Sequence, residues 1–183
     1  HCPSARFTDV PAPSNWAHAG IDYAVSHSLF AGTSQTQFSP KGVMNRAMLV
    51  AVLWRMAGRP EPSTACPFQD VGPDTYYTKA VAWAAENGVV AGVSATRFDP
   101  AANITREQMA AILFRYAAKS GVDTSARGDT AAFPDRDRVA SYASDALRWC
   151  LAVGIISGSA ENGTVYLAPQ GSATREQVAA ILM

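Results

Sequence analysis

The chain has 183 residues, 48% of them hydrophobic and 16% charged, with 15 basic and 15 acidic side chains. That length and composition belong to a globular protein able to bury a sizeable core. Balanced charge argues against nucleic acid or an anionic membrane as the main partner. No apolar run approaches the roughly 18–20 residues of a membrane span, and the N-terminus does not read as a signal peptide. The sequence therefore reads as a mature or excised region, with no membrane insertion expected.

In chain order the same elements recur three times. Phe7-Thr8-Asp9-Val10 returns as Phe68-Gln69-Asp70-Val71 and, more loosely, as Phe133-Pro134-Asp135-Arg136. An aromatic follows each, Trp16, Tyr76 and Tyr142, and then a helical apolar stripe. The stripes are Ala17, Gly20, Ile21, Ala24, then Tyr77, Ala80, Val81, Ala84, then Ala143, Ala146, Leu147, Cys150. Small residues among large ones predict close helix–helix contact. Gly88 and Gly154 suit left-handed C-terminal caps, with Ser28 in their place in the first copy. A short apolar pair and a glycine come next, at Gly32, Gly92 and Gly158. Loops then run through Phe38-Ser39-Pro40, Phe98-Asp99-Pro100 and Leu167-Ala168-Pro169, the third lengthened by a tight turn at Glu161-Asn162-Gly163.

Each copy closes on a second helix. Thr105-Arg106-Glu107-Gln108 and Thr174-Arg175-Glu176-Gln177 spell a capping box, threonine as N-cap and glutamine reaching back. Asn45-Arg46-Ala47-Met48 keeps only the cap. Apolar stripes follow from Leu49, Met109 and Val178. Each unit is an extended entry, a helix, a loop and a second helix, with boundaries expected at 1–62, 63–128 and 129–183. A unit of about 60 residues is marginal alone, so the three are expected to share one core in a mainly α fold. The last helix ends at Met183, sooner after Arg175 than the first ends after Arg46, which marks the third repeat as a candidate for truncation.

Arg46, Arg106 and Arg175 stand at the first helical position, where the macrodipole is positive and an exposed cation costs about 0.3–1 kcal/mol. Breaking one local rule three times asks for a compensating anion, either an internal carboxylate or a ligand. Asp9, Asp70 and Asp135 fit two roles, accepting hydroxyls of a ligand or holding structure, and the structural role is the stronger expectation. For Gly32, Gly92 and Gly158, turn geometry outweighs close approach of the backbone to a ligand. Trp16, Trp54, Trp83 and Trp149 read as core at their helical spacings more readily than as ligand platforms.

Catalysis is not expected. His1, His18 and His27 spell no metal motif, and no serine or cysteine stands in a nucleophile setting. Asp135 and Asp137 lack the partners of a catalytic or calcium pair. Cys150 reads as a buried apolar residue, while Cys2 and Cys66, each just ahead of a repeat, are the one pair placed to bridge. Two unpaired thiols in entry loops are the alternative.

These ordered motifs resemble the S-layer homology family, whose repeats read Phe-x-Asp-Val, a helix ending near glycine, a Phe-x-Pro loop and a Thr-Arg-Ala-Glu helix start. The resemblance covers nearly the whole chain. It implies a pseudo-threefold spindle around a central three-helix bundle of the second helices. It also implies a monomeric, non-catalytic module of a larger extracellular protein, needing no cofactor and binding bacterial secondary cell-wall polysaccharide, often pyruvylated. The ligand would lie in grooves between repeats, with Arg46, Arg106 and Arg175 central to recognition. The departures are the missing acid after Arg46, Glu-Gln in place of Ala-Glu in the later copies, and Arg136 in place of valine. A protein-interaction or oligomerisation module that has kept the repeats without glycan binding is the competing expectation.

Overall fold

The computed structural model describes residues 2–183. Six helices carry the fold: α1 (His18–Ser26), α2 (Arg46–Met56), α3 (Thr78–Glu86), α4 (Arg106–Lys119), α5 (Ser144–Ala152) and α6 (Arg175–Ile181). A hairpin of β1 (Ser159–Glu161) and β2 (Thr164–Tyr166) sits in the third loop, turning through Asn162 and Gly163, both at positive φ. The protein is mainly α, as the periodicity predicts.

The second helices start as their sequences dictate. Thr105 and Thr174 close full capping boxes with Gln108 and Gln177, while Asn45 accepts from the Met48 N–H alone. Two first helices end on glycine in the left-handed region, Gly88 (φ 68°) and Gly154 (φ 78°). The first copy forces Ser28 to φ 56°, where an L side chain is strained.

Packing crosses the repeats. Along their lengths α2 lies against α3, α4 against α5, and α6 returns to α1. Each closely packed pair thus joins the second helix of one copy to the first helix of the next, and the last pair closes the ring. Gly20 is the tightest point of that closure: a Cβ there would stand 2.5 Å from the Ala180 Cα. The central bundle implied by the resemblance takes a specific form. The second helices are joined through the backbone where they begin, and it is against the neighbouring first helices that they pack most closely along their lengths.

That junction is a cycle of hydrogen bonds. Met44 N–H donates to Ala173 O (2.8 Å), Ala173 N–H to Ile104 O (3.3 Å), and Ile104 N–H to Met44 O (2.9 Å). Met44, Ile104 and Ala173 are fully buried around it. Leu49, Met109 and Val178, the heads of the three stripes, are buried in the same continuous core. The first-helix stripes follow: Ile21, Ala24, Ala80, Val81, Ala84, Ala146, Leu147 and Cys150 are all buried.

All three cysteines are free thiols. The Cys2–Cys66 bridge does not form, because the Cys2 sulfur turns instead toward Ser4, His18 and Asp22. Cys66 packs on the edge of the core, and Cys150 is buried as expected.

Candidate functional site

The helix-start arginines do not face solvent, and among the described residues none pairs with a carboxylate. Arg46 Nε donates to Phe98 O (2.8 Å) and its terminal nitrogen to Ala91 O (3.2 Å). Arg175 repeats the pattern on Phe38 O (2.8 Å) and Ala31 O (2.6 Å). Each of these two guanidinium groups also lies over the phenylalanine of the Phe-x-Pro loop it docks on, 4.7 Å from the Phe98 ring centre and 4.6 Å from that of Phe38. The cation is therefore compensated by carbonyl dipoles and π-faces of the neighbouring repeat. Burial lowers the pKa of all three guanidinium groups, opposed chiefly by Asp99 at Arg46, Asp135 at Arg106 and Asp9 at Arg175. They nevertheless remain cations.

Arg106 departs from this pattern. Its Nε reaches Leu167 O (3.0 Å), but leucine replaces the phenylalanine, and one terminal nitrogen is buried with no partner. The longer third loop carries the hairpin, and Gly158 there takes φ 90°. One of the two copies with a full capping box thus has the least satisfied arginine.

The first-turn backbone donors are consumed as well, so the helix starts are not open anion cradles. Arg46 and Ala47 N–H donate to Ala102 O and Pro100 O, Arg106 and Glu107 N–H to Gly171 O and Pro169 O, and Arg175 and Glu176 N–H to Gly42 O and Pro40 O. The acids take other partners: Glu107 accepts from the Ala140 N–H and Gln170, and Glu176 from Lys41.

Asp9, Asp70 and Asp135 are loop clamps. Asp9 accepts the N–H groups of Phe38 and Ser39, Asp70 those of Phe98 and Asp99, and Asp135 those of Leu167 and Ala168, all at 2.7–2.9 Å. Each carboxylate fixes the loop whose carbonyl receives an arginine, the structural role expected of it. All three second residues, Ser39 (φ 57°), Asp99 (φ 59°) and Ala168 (φ 47°), are held in the left-handed region. Gly32 and Gly92 serve the same loops. A Cβ at Gly92 would meet Arg97 O and Ser94 O at 2.4 Å and the Phe68 ring at 2.5 Å.

Beside each arginine runs an open groove, three in cyclic relation. The first, about 400 Å³, is lined by Arg46, the Ala91-Gly92-Val93 segment, the α4 face at Gln108, Ile112 and Arg115, and Tyr142. The second, about 480 Å³, has Arg106, the Val153–Gly158 segment, α6 at Gln177, Ala180 and Ile181, and Trp16. The third, about 370 Å³, has Arg175, Phe30 to Thr33, α2 at Met48, Val52 and Arg55, and Tyr76. Every groove thus joins parts of three sequence copies. Gly32, Gly92 and Gly158 line them; Asp9, Asp70 and Asp135 do not.

Sequence reasoning missed two sets of groove residues. Trp16, Tyr76 and Tyr142 are 60%, 54% and 54% exposed, so Trp16 is no core residue, although Trp83 and Trp149 are buried. The signal was their shared position ahead of each first helix. Arg55 and Arg115 occupy matching turns of α2 and α4, and one N–H of Arg55 goes to Leu29 O (2.8 Å).

Comparison with known proteins agrees with this threefold construction. The family model described as "S-layer homology domain" matches residues 6–47, 67–110 and 132–179. The chain is similar to a surface-layer 125 kDa protein of Lysinibacillus sphaericus, 30% identical over 97% of this chain and 15% of that protein. It is likewise similar to an endoglucanase of a Bacillus species, 31% identical over 96% of this chain and 18% of the relative. A third relative is exoglucanase XynX of Acetivibrio thermocellus, 29% identical over 98% of this chain and 16% of the relative. The chain spans less than a fifth of the length of these relatives.

Proposed function

This chain belongs to the S-layer homology domain family, and from that premise we propose that it is a non-catalytic anchoring module holding a larger protein to the bacterial cell wall. Its ligand is an anionic secondary cell-wall polysaccharide, with a pyruvate ketal as the fitting charged group, bound in the three inter-repeat grooves. One observation carries the reading: a buried or half-buried arginine and an exposed aromatic recur in every groove. An aromatic face suits the apolar face of a sugar ring, while guanidinium N–H groups suit a carboxylate. The long relatives share only this segment with the chain and carry names as different as surface-layer protein and endoglucanase. That spread supports an attachment role independent of the chemistry next to it.

In mechanism, the arginines first build the groove wall by docking onto the neighbouring loop. Arg55 and Arg115, less committed, then supply charge toward a bound carboxylate in two of the grooves. In the Arg106 groove the charge comes from the Arg106 guanidinium itself, only partly satisfied by the loop carbonyl. Binding to purified wall sacculi before and after removal of the attached polysaccharide tests the proposal. Binding that persists unchanged on stripped sacculi would reject glycan anchoring and favour a protein-interaction module.

A further inference from the structure

Away from the grooves, three metal-ligating side chains converge between the entry segment and α1. Cys2 Sγ lies 3.5 Å from His18 Nε2 and 3.2 Å from Asp22 Oδ1, and His18 Nε2 lies 3.4 Å from Asp22 Oδ2. His18 and Asp22 stand one helical turn apart on α1, so their side chains share a face. We propose that Cys2, His18 and Asp22 form a binding site for a zinc-class divalent cation, with water completing the coordination.

The spacing of the donors is the first argument. Zinc bonds of about 2.3 Å to sulfur, 2.0–2.1 Å to nitrogen and 2.0–2.2 Å to oxygen, set tetrahedrally, put the ligand atoms about 3.4–3.6 Å apart. The pairwise separations, 3.5 Å from Sγ to Nε2, 3.2 Å from Sγ to Oδ1 and 3.4 Å from Nε2 to Oδ2, lie near that spacing, each carboxylate oxygen facing one of the other two ligands. A thiol, an imidazole and one carboxylate also form a borderline-soft set, which suits zinc and is wrong for calcium or magnesium.

The imidazole supplies the second argument. His18 Nδ1 lies 2.7 Å from Pro11 O, and a carbonyl only accepts, so Nδ1 carries the proton. In the neutral ring Nε2 then presents its lone pair on the side where Cys2 and Asp22 lie. Metal-binding histidines are oriented by this kind of bond from the other ring nitrogen to a backbone carbonyl. Asp22 is anchored in the same way, its Oδ1 accepting the Ser4 N–H at 2.9 Å. A Cys–His–Asp nucleophile arrangement would put the carboxylate on the far ring nitrogen, whereas here it shares Nε2 with the sulfur.

Cys2 donates its S–H to Asp22 in the metal-free state, and binding sends that proton to solvent as the thiolate takes the metal. The bound ion would staple the entry segment to α1, the helix against which α6 closes the ring. The test is a Co²⁺ titration of the whole chain, kept reduced, with Zn²⁺ competition. Expected are one equivalent bound, a near-ultraviolet thiolate-to-cobalt band, its loss in Cys2→Ser and its persistence in Cys66→Ser. His18→Ala should weaken binding at least tenfold, and Zn²⁺ should raise the melting temperature of the parent chain but not of Cys2→Ser. Absence of saturable binding overturns the site. So does a band that survives Cys2→Ser or is lost with Cys66→Ser alone.

Discussion

Arg46 and Phe98 are joined twice: the Nε–H donates to the phenylalanine carbonyl at 2.8 Å, and the guanidinium lies over the ring 4.7 Å from its centre. The two residues belong to different sequence copies, and the same double contact links Arg175 to Phe38 at the ring closure. The arginines therefore hold the repeats together as well as heading the grooves. Arg46→Ala and Arg175→Ala would each orphan one buried carbonyl, that of Phe98 or Phe38, at about 1–3 kcal/mol, and release a second at a half-exposed position. Chemical denaturation should show both less stable than Arg106→Ala, since Arg106 engages one carbonyl and no ring. Equal losses at all three positions would contradict this division.

Much of the arrangement was legible in the repeats themselves. The capping boxes at Thr105 and Thr174 and the stripes from Leu49, Met109 and Val178 are local patterns, and they stand where the periodicity places them. What pairs with what was not legible. A helical stripe specifies which face is buried but carries no record of its partner, so the α2–α3, α4–α5 and α6–α1 pairing had to come from the structure. The arginine question failed for a related reason. A cation at a helix start asks for negative potential, and backbone carbonyls, which every residue has, leave no mark in a sequence. Trp16, Tyr76 and Tyr142 carried a visible signal in their matched positions, yet nothing local separates an exposed aromatic from a buried one.

At Gly20 the backbones of α1 and α6 come close together. Gly20→Ala would drive a methyl to 2.5 Å from the Ala180 Cα, a backbone atom that cannot turn aside. Overpacking of this kind costs about 1–3 kcal/mol. Hydrogen exchange should show protection lost first in α1 and α6. Helix propensity alone predicts a gain from the same substitution, so the sign of the change is decisive.

The thiols divide by burial. Burial pushes the Cys150 thiol up to about 12 from an ordinary value near 9.0. Native-state alkylation at mildly alkaline pH should therefore leave Cys150 unmodified while Cys2 and Cys66 react. A raised folded-state pKa also gives stability that is complete below about pH 9 and lost as pH climbs toward 12. Cys150→Ala should flatten that alkaline decline; an unchanged slope would assign it to other groups.

The core of Met109, Ile112 and Leu113 on α4 joins the copies, and Leu113→Ala should cost about 2–5 kcal/mol in a cooperative unfolding transition. A loss below about 1 kcal/mol would mean that this side chain contributes little to the shared core.

Affinity of the chain for isolated wall polysaccharide, measured with the groove aromatics removed, reaches the central claim most directly. Trp16, Tyr76 and Tyr142 are more than half exposed, so their replacement by alanine should leave the melting temperature nearly unchanged. Each loss should weaken its own groove by about 1 kcal/mol, roughly fivefold. The triple variant should lose more than any single one, since the grooves act together on one polymer. A triple variant that stays folded and binds the polysaccharide as tightly as the parent would contradict the groove account.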